Sequence, residues 1–299
     1  MVKHVGLAWE CLSSRYRLSW SDQRTTLLPL LDKASLEAHC DRLSLPYPKS
    51  LVIETIEDIK RVGDKLPFPL IAKPTLPLSG FKVRLIESED DLLVLASRYP
   101  HALPFLLQQW IPGGDESLYF TAFYLDNGRI LACYEGQKLG SNPPAMGQTT
   151  IARSCPNPVV RAIAERFFEP LKLSGPVSLE VKVDQAGQPW IIEPTLGRTD
   201  YWVDCCVAND VNLPAIEFAH QSGKPVPNSI QTNNMIWFDT ERSPLCYLRF
   251  RLGAGHRIAG PWQARFPYWG HADPLPFIQG LQRLAGNYSG RAWRKLFRS

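Results

Sequence analysis

The segment Ser178-Leu179-Glu180-Val181-Lys182-Val183-Asp184 constrains the fold most, because apolar and polar residues alternate along it without a break. That two-residue period belongs to a β-strand, with Leu179, Val181 and Val183 on one face and Glu180, Lys182 and Asp184 on the other. A second short strand, 189–193, follows a turn at Ala186-Gly187. A turn centred between those two residues sets Glu180 directly across from Glu193. Opposed residues bring their β-carbons to about 4.5–5.5 Å, where like charges repel. A divalent cation would offset that repulsion, and magnesium favours a few carboxylates together with phosphate oxygens. Two solvated glutamates, or an ion pair with Lys182, are the alternatives at this point.

The rest of the chain alternates helical and strand-like patterns. A helix is expected over 31–45, stopped by Pro46 and Pro48, and a strand over 51–53. Thr55 opens a helix to about Asp64, and strands follow over 69–73 and 82–86. Ser88, with Asp91 three residues on, opens another helix to about Tyr99, and 105–111 reads as a strand. Residues 118–125 and 129–135 flank Asp126-Asn127-Gly128, a strong hairpin signal, and 158–172 reads as a helix. Strand–helix units followed by hairpins and helices imply an α+β architecture.

With 299 residues, 44% of them hydrophobic, the chain can bury a sizeable core. No stretch approaches the ~18 apolar residues of a membrane-spanning helix, and the first residues make a poor secretory signal. Seven cysteines without CxxC spacing argue against zinc and for reduced thiols in the cytoplasm. From Glu241 onward ten Arg and Lys face two acidic residues, so this end is basic although the chain as a whole carries only +4. A solvated surface, a protein partner or a peripheral membrane contact through 287–299 would each suit that charge. No nucleic-acid motif accompanies the basic residues.

Five ordered pieces resemble the ATP-grasp superfamily, and within it the carboxylate–amine ligases. They are Leu31-Asp32-Lys33; Pro69-Leu70-Ile71-Ala72-Lys73-Pro74; Gln108-Gln109-Trp110-Ile111-Pro112-Gly113-Gly114-Asp115-Glu116; Gly136-Gln137-Lys138-Leu139; and Glu180 with Ile192-Glu193-Pro194-Thr195-Leu196-Gly197-Arg198. The resemblance implies two β-rich lobes clasping ATP and magnesium, with manganese as its substitute. It divides the chain into a shortened N-terminal segment (1–48), a small lobe (49–107), a large lobe with the metal site (108–235) and a basic C-terminal segment (236–299). It implies that Lys73 and Lys82 contact phosphates, and that Gln108, Gln109 and Ile111 form the strand under adenine, read through backbone groups. Asp115 or Glu116 would hold the ribose. Lys138 would face the transferred phosphate, and Glu180, Glu193 and Thr195 would bind the metal. Arg198 would clamp a carboxylate substrate, since its planar fork matches two oxygens.

The sequence departs from the family at four places. The phosphate-covering loop, 76–81, has only Gly80; Thr195 stands where an asparagine is usual; Ser178 replaces a frequent arginine; and the leading α/β domain is cut to about thirty residues. The activity implied is activation of a carboxylate, of an amino acid or another small acid, as an acyl phosphate that an amine then attacks. A phosphotransferase on the same fold and a nucleotide-binding subunit without turnover are the rival readings. Oligomeric state is not legible.

Overall fold

The computed structural model describes residues 1–75, 80–81, 83–253, 258, 260–270, 272–283 and 286. Two antiparallel-rich sheets organise them. The smaller holds four strands in the order β1-β4-β2-β3, with β1 Ser50–Ile53, β2 Leu70–Pro74, β3 Arg84–Ile86 and β4 Phe105–Gln109. The larger holds seven in the order β11-β10-β7-β6-β5-β8-β9. These are β5 Leu118–Asp126, β6 Arg129–Asn142, β7 Gln148–Ser154, β8 Gly175–Val183, β9 Pro189–Leu196, β10 Met235–Phe238 and β11 Gln263–Arg265.

Each lobe has its own core. In the small lobe, helices Ile56–Ile59, Val62–Lys65 and Glu89–Arg98 cover the sheet, burying Ile59, Val62, Leu92 and Leu95 against Ile53, Leu70, Ala72 and Leu107. Thr55 and Asp58 cap each other's backbone, although the helix they open is broken at Lys60 rather than continuous to Asp64. Ser88 caps the third helix by accepting from the Asp91 N–H. These caps satisfy orphan helix donors, worth about 1 kcal/mol each.

The large sheet is covered on both faces. Phe123, Leu125, Val177, Leu179, Val181 and Ile191 face helix Pro158–Phe168, while Phe120, Ala122, Tyr124 and Tyr134 face Trp202, Cys205, Leu213 and Ile216. Gly136 is needed in β6, because a β-carbon there would overlap the Phe120 ring. That ring can then lie 3.9 Å, centroid to centroid, from the buried Trp202.

The segment 1–48 forms no separate body. Val2, Trp20, Leu27, Leu30, Leu36, Cys40 and Leu45 are buried in the same cluster as β5, β8 and β9. Its best-formed helix is Lys33–Arg42, shorter at both ends than the expected 31–45. Two other expected boundaries fall inside strands: 107/108 divides β4, and 235/236 divides β10. Strand β10 pairs with β7, so the large sheet reaches beyond 235. Lys82, most of the loop 76–81, and 287–299 lie outside the described residues.

Candidate active site

The site is built on the β8–β9 hairpin. Glu180 lies opposite Glu193, Leu179 opposite Pro194 and Ser178 opposite Thr195. Nearer the turn the register differs by one, with Val181 opposite Ile191 and Lys182 opposite Trp190. The turn therefore sits half a residue earlier than the sequence implies, and a β-bulge at Ile192 restores the offset. Without that bulge Glu180 would face Ile192, so the acidic pair depends on one extra residue in β9.

A buried carboxyl set opposite another carboxylate is costly to ionise. Burial, then Asp200, then Glu193 push the Glu180 carboxyl up to about 7, while Lys138 and Lys73 pull it the other way. Four charged side chains, from β2, β6, β9 and the loop after β9, thus act on this one carboxyl group of β8. Lys73 comes from the small lobe and the others from the large one.

Asp200 is the residue that sequence reasoning missed. It follows the turn at Gly197, whose positive φ of +67 and contact with Trp20 exclude a side chain. The Trp20 indole N–H donates to the Gly197 carbonyl at 2.9 Å, so the N-terminal segment pins this turn from behind. The Asp200 carboxylate accepts from the hydroxyls of Ser178 and Thr195, the latter at 2.9 Å. Arg198 stands 3.6 Å from it and half exposed, so this cation shares its charge with Asp200 rather than standing alone as a carboxylate clamp. The available signal was the pair of opposed hydroxyls on the acidic face, which need an acceptor.

The cations are also held. Lys73 donates to the Gln108 side-chain oxygen at 2.6 Å, and the Gln108 amide reaches the Pro48 carbonyl at 3.4 Å. The buried Gln108 side chain therefore braces the lysine. Lys138 makes a 3.0 Å ion pair with Asp115 and donates to the Gly147 carbonyl at 3.0 Å. Asp115 further accepts from Ser141 at 2.8 Å and from the Ala145 N–H at 3.3 Å. Its carboxylate is thus engaged within the protein, while the neighbouring Glu116, the other residue expected at a ribose, is exposed. Lys182, on the same face of β8 as Glu180, is buried near these groups, and burial with the nearby Lys138 holds its ammonium below the usual lysine range.

The strand expected under adenine is also engaged within the small lobe. The Gln109 N–H is committed to the Lys49 carbonyl at 2.9 Å inside the small sheet. The chain leaves that sheet at Trp110, and Ile111 just beyond it is buried.

The residues present fit a divalent ion of the magnesium type. Among the described residues no three His, Cys, Asp or Glu groups close on one point. Two carboxylates and a hydroxyl on one edge suit an ion that keeps water and phosphate oxygens as its remaining ligands. The raised Glu180 pKa marks a place where added positive charge is favourable.

In three dimensions the chain superposes on the biotin carboxylase domain of a Hydrogenobacter thermophilus 2-oxoglutarate carboxylase, solved with MgADP, ADP and bicarbonate. The TM-score is 0.62 over 79% of this chain and 55% of that one, at 13% identity. The chain has the ATP-grasp fold. Carbamoyl phosphate synthase large chain from Deinococcus deserti is 34% identical over 236 residues, 74% of this chain and 22% of that one. D-aspartate ligase from Enterococcus faecium is 22% identical over 204 residues, 62% of this chain and 48% of that one. This ATP-grasp chain therefore spans less than half the length of either curated relative. No protein-family profile matches it.

Proposed function

We propose that the chain binds ATP with magnesium and activates a small carboxylate for attack by an amine. The observation that carries this reading is the convergence of Lys73 and Lys138, from separate lobes, on Glu180 beside Glu193 and Asp200. Metal-bound ATP would supply its γ-phosphoryl group to the carboxylate with release of ADP, and the amine would then attack the carbonyl carbon of the acyl phosphate and displace phosphate. Glu180, Glu193 and Thr195 hold the ion. Lys73 and Lys138 neutralise charge on the phosphates, and catalysis rests on positioning and electrostatics. Trp110 and Ile111 present backbone to the base, and Glu116 faces the ribose. Arg198 orients the substrate carboxylate from the rim. For Lys138 to serve, it exchanges part of its contact with Asp115 for phosphate oxygens. Manganese substitutes for magnesium in the same donor set.

All seven cysteines are free thiols, which supports a cytoplasmic location. Among the described residues no helix is long and apolar enough to cross a membrane.

The test supplies ATP, magnesium, a panel of amino acids and small acids, and hydroxylamine. Release of ADP with an acyl hydroxamate supports the ligase reading. A product stable to hydroxylamine would make the chain a phosphotransferase. Nucleotide binding without turnover for every pair would favour a subunit needing a partner, a reading supported by the short span relative to the synthase. Failure to bind nucleotide at all sinks all three.

A further inference from the structure

Two hydroxyls and one carboxylate lock the end of the β8–β9 hairpin. Ser178 and Thr195 are cross-strand partners, two residues along their strands from Glu180 and Glu193 and on the same face. Asp200 uses a separate oxygen for each: Ser178 donates to Oδ2, and Thr195 donates to Oδ1 at 2.9 Å. Its side chain is 8% exposed, and Arg198 at 3.6 Å balances its charge.

We propose that Asp200 is a positioning residue that makes the Thr195 hydroxyl a metal ligand. The proposal rests on the reading above, in which Glu180, Glu193 and Thr195 hold a divalent ion. A threonine hydroxyl has one proton and two lone pairs. With the proton fixed on Asp200, the lone pairs point away from that carboxylate. Free rotation of the hydroxyl would otherwise present the proton to the cation for part of the time. A carboxylate acceptor also raises the electron density on the oxygen, as outer partners of metal ligands do. An amide ligand would present a carbonyl oxygen, which carries no proton to misdirect. Asp200 supplies by hydrogen bonding the orientation that an amide has by its own bonding. The same carboxylate ties β8 to β9, fixing the pair of glutamates two residues away.

Titration of Mn2+ with ADP, followed by calorimetry, tests this on wild type, Asp200→Asn, Thr195→Val, Thr195→Ser and the double variant Asp200→Asn/Thr195→Val. ADP binding in EDTA and thermal melting in EDTA are measured alongside. Asp200→Asn is expected to weaken metal-dependent binding about 10–100-fold, the range for partners of metal ligands. Thr195→Val does the same, the double variant is no worse than the weaker single, and Thr195→Ser stays near wild type. ADP affinity in EDTA stays constant throughout. Ser178→Ala, which leaves the Thr195–Asp200 bond in place, loses less than about threefold.

Losses that multiply in the double variant would show Asp200 acting independently of Thr195 and overturn the proposal. So would an Asp200→Asn protein that binds Mn2+ with ADP like wild type, or one that loses ADP equally in EDTA. Wild type failing to bind Mn2+ with ADP overturns the functional reading and this proposal together, whereas wild-type binding unaffected by Asp200→Asn overturns this proposal alone.

Discussion

Replacing Glu180 by glutamine should stabilise the metal-free protein while removing its response to magnesium and nucleotide. The Glu180 carboxyl is raised from 4.5 to about 7, chiefly by burial and then by Asp200 and Glu193. A shift of about 2.5 units is about 3 kcal/mol at roughly 1.4 kcal/mol per unit, and partial solvent exposure of the residue reduces this to about 2 kcal/mol. The folded pKa lies above the unfolded one, so the fold favours the protonated form. That stability is fully present below about pH 4.5 and is lost as the pH rises through about 7. Glutamine has the shape of the protonated acid and carries no charge at any pH. In EDTA at pH 8, Glu180→Gln should therefore exceed wild type by about 2 kcal/mol, a rise in melting temperature of about 4 °C for a chain this size. At pH 5 the gap should shrink to under about 1 kcal/mol. With magnesium and nucleotide at one hundred times the dissociation constant, wild type should gain about 2.7 kcal/mol and the variant almost none, reversing the order. Urea melts followed by circular dichroism at both pH values read all of this. A variant no more stable than wild type at pH 8, or a gain equal at pH 5 and pH 8, would refute the electrostatic argument.

Trp20→Ala should cost about 3–5 kcal/mol, because it empties a buried indole site and removes the hydrogen bond to Gly197. If 1–48 were an independent segment, calorimetry would instead show one small transition change with the main melt untouched. Asp115→Ala should destabilise by about 3 kcal/mol, since Lys138 is left buried without its counter-charge. Urea denaturation checks that value, and a loss under about 1 kcal/mol would mean that water replaces Asp115 in the open cleft.

The hairpin was legible because its period-2 pattern left one arrangement of faces, and a register slip of one residue would have exposed Leu179 and Val181. The Glu180–Glu193 pairing emerged from two offsets that cancel, the earlier turn and the bulge at Ile192; periodicity reads neither. The carboxylates and lysines of the site were visible as residue types on strand ends. Their partners were not. Gln108 as the brace of Lys73, Asp115 as the counter-charge of Lys138, and Asp200 as the bridge over Ser178 and Thr195 all join groups from different strands or loops, and the first spans 35 residues. Such contacts follow from sheet order, and β4 lies beside β2, while β8 lies beside β5. The packing of 1–48 was not legible for the same reason: burial of Trp20 and Leu27 against β8 and β9 depends on tertiary packing, which local patterning does not encode.

The fold can hold repelling carboxylates because the opposite face of the same two strands is fully buried. Leu179, Val181 and Ile191 are all 0% exposed. Each such side chain contributes about 2 kcal/mol on burial, so three give about 6 kcal/mol, against the ~2 kcal/mol cost of ionising Glu180. Strand alternation couples the two faces: the register that buries Leu179 and Val181 is the register that sets Glu180 beside Glu193 once the bulge is made. The acidic edge is thus held in an unfavourable state by packing it does not share, and positive charge arriving there releases that strain. Lys73 belongs to the other lobe, so its approach and that of a divalent ion act on the same carboxyl group. On the proposed reading, approach of Lys73 from the small lobe and binding of the ion answer one electrostatic deficit, so each should strengthen the other.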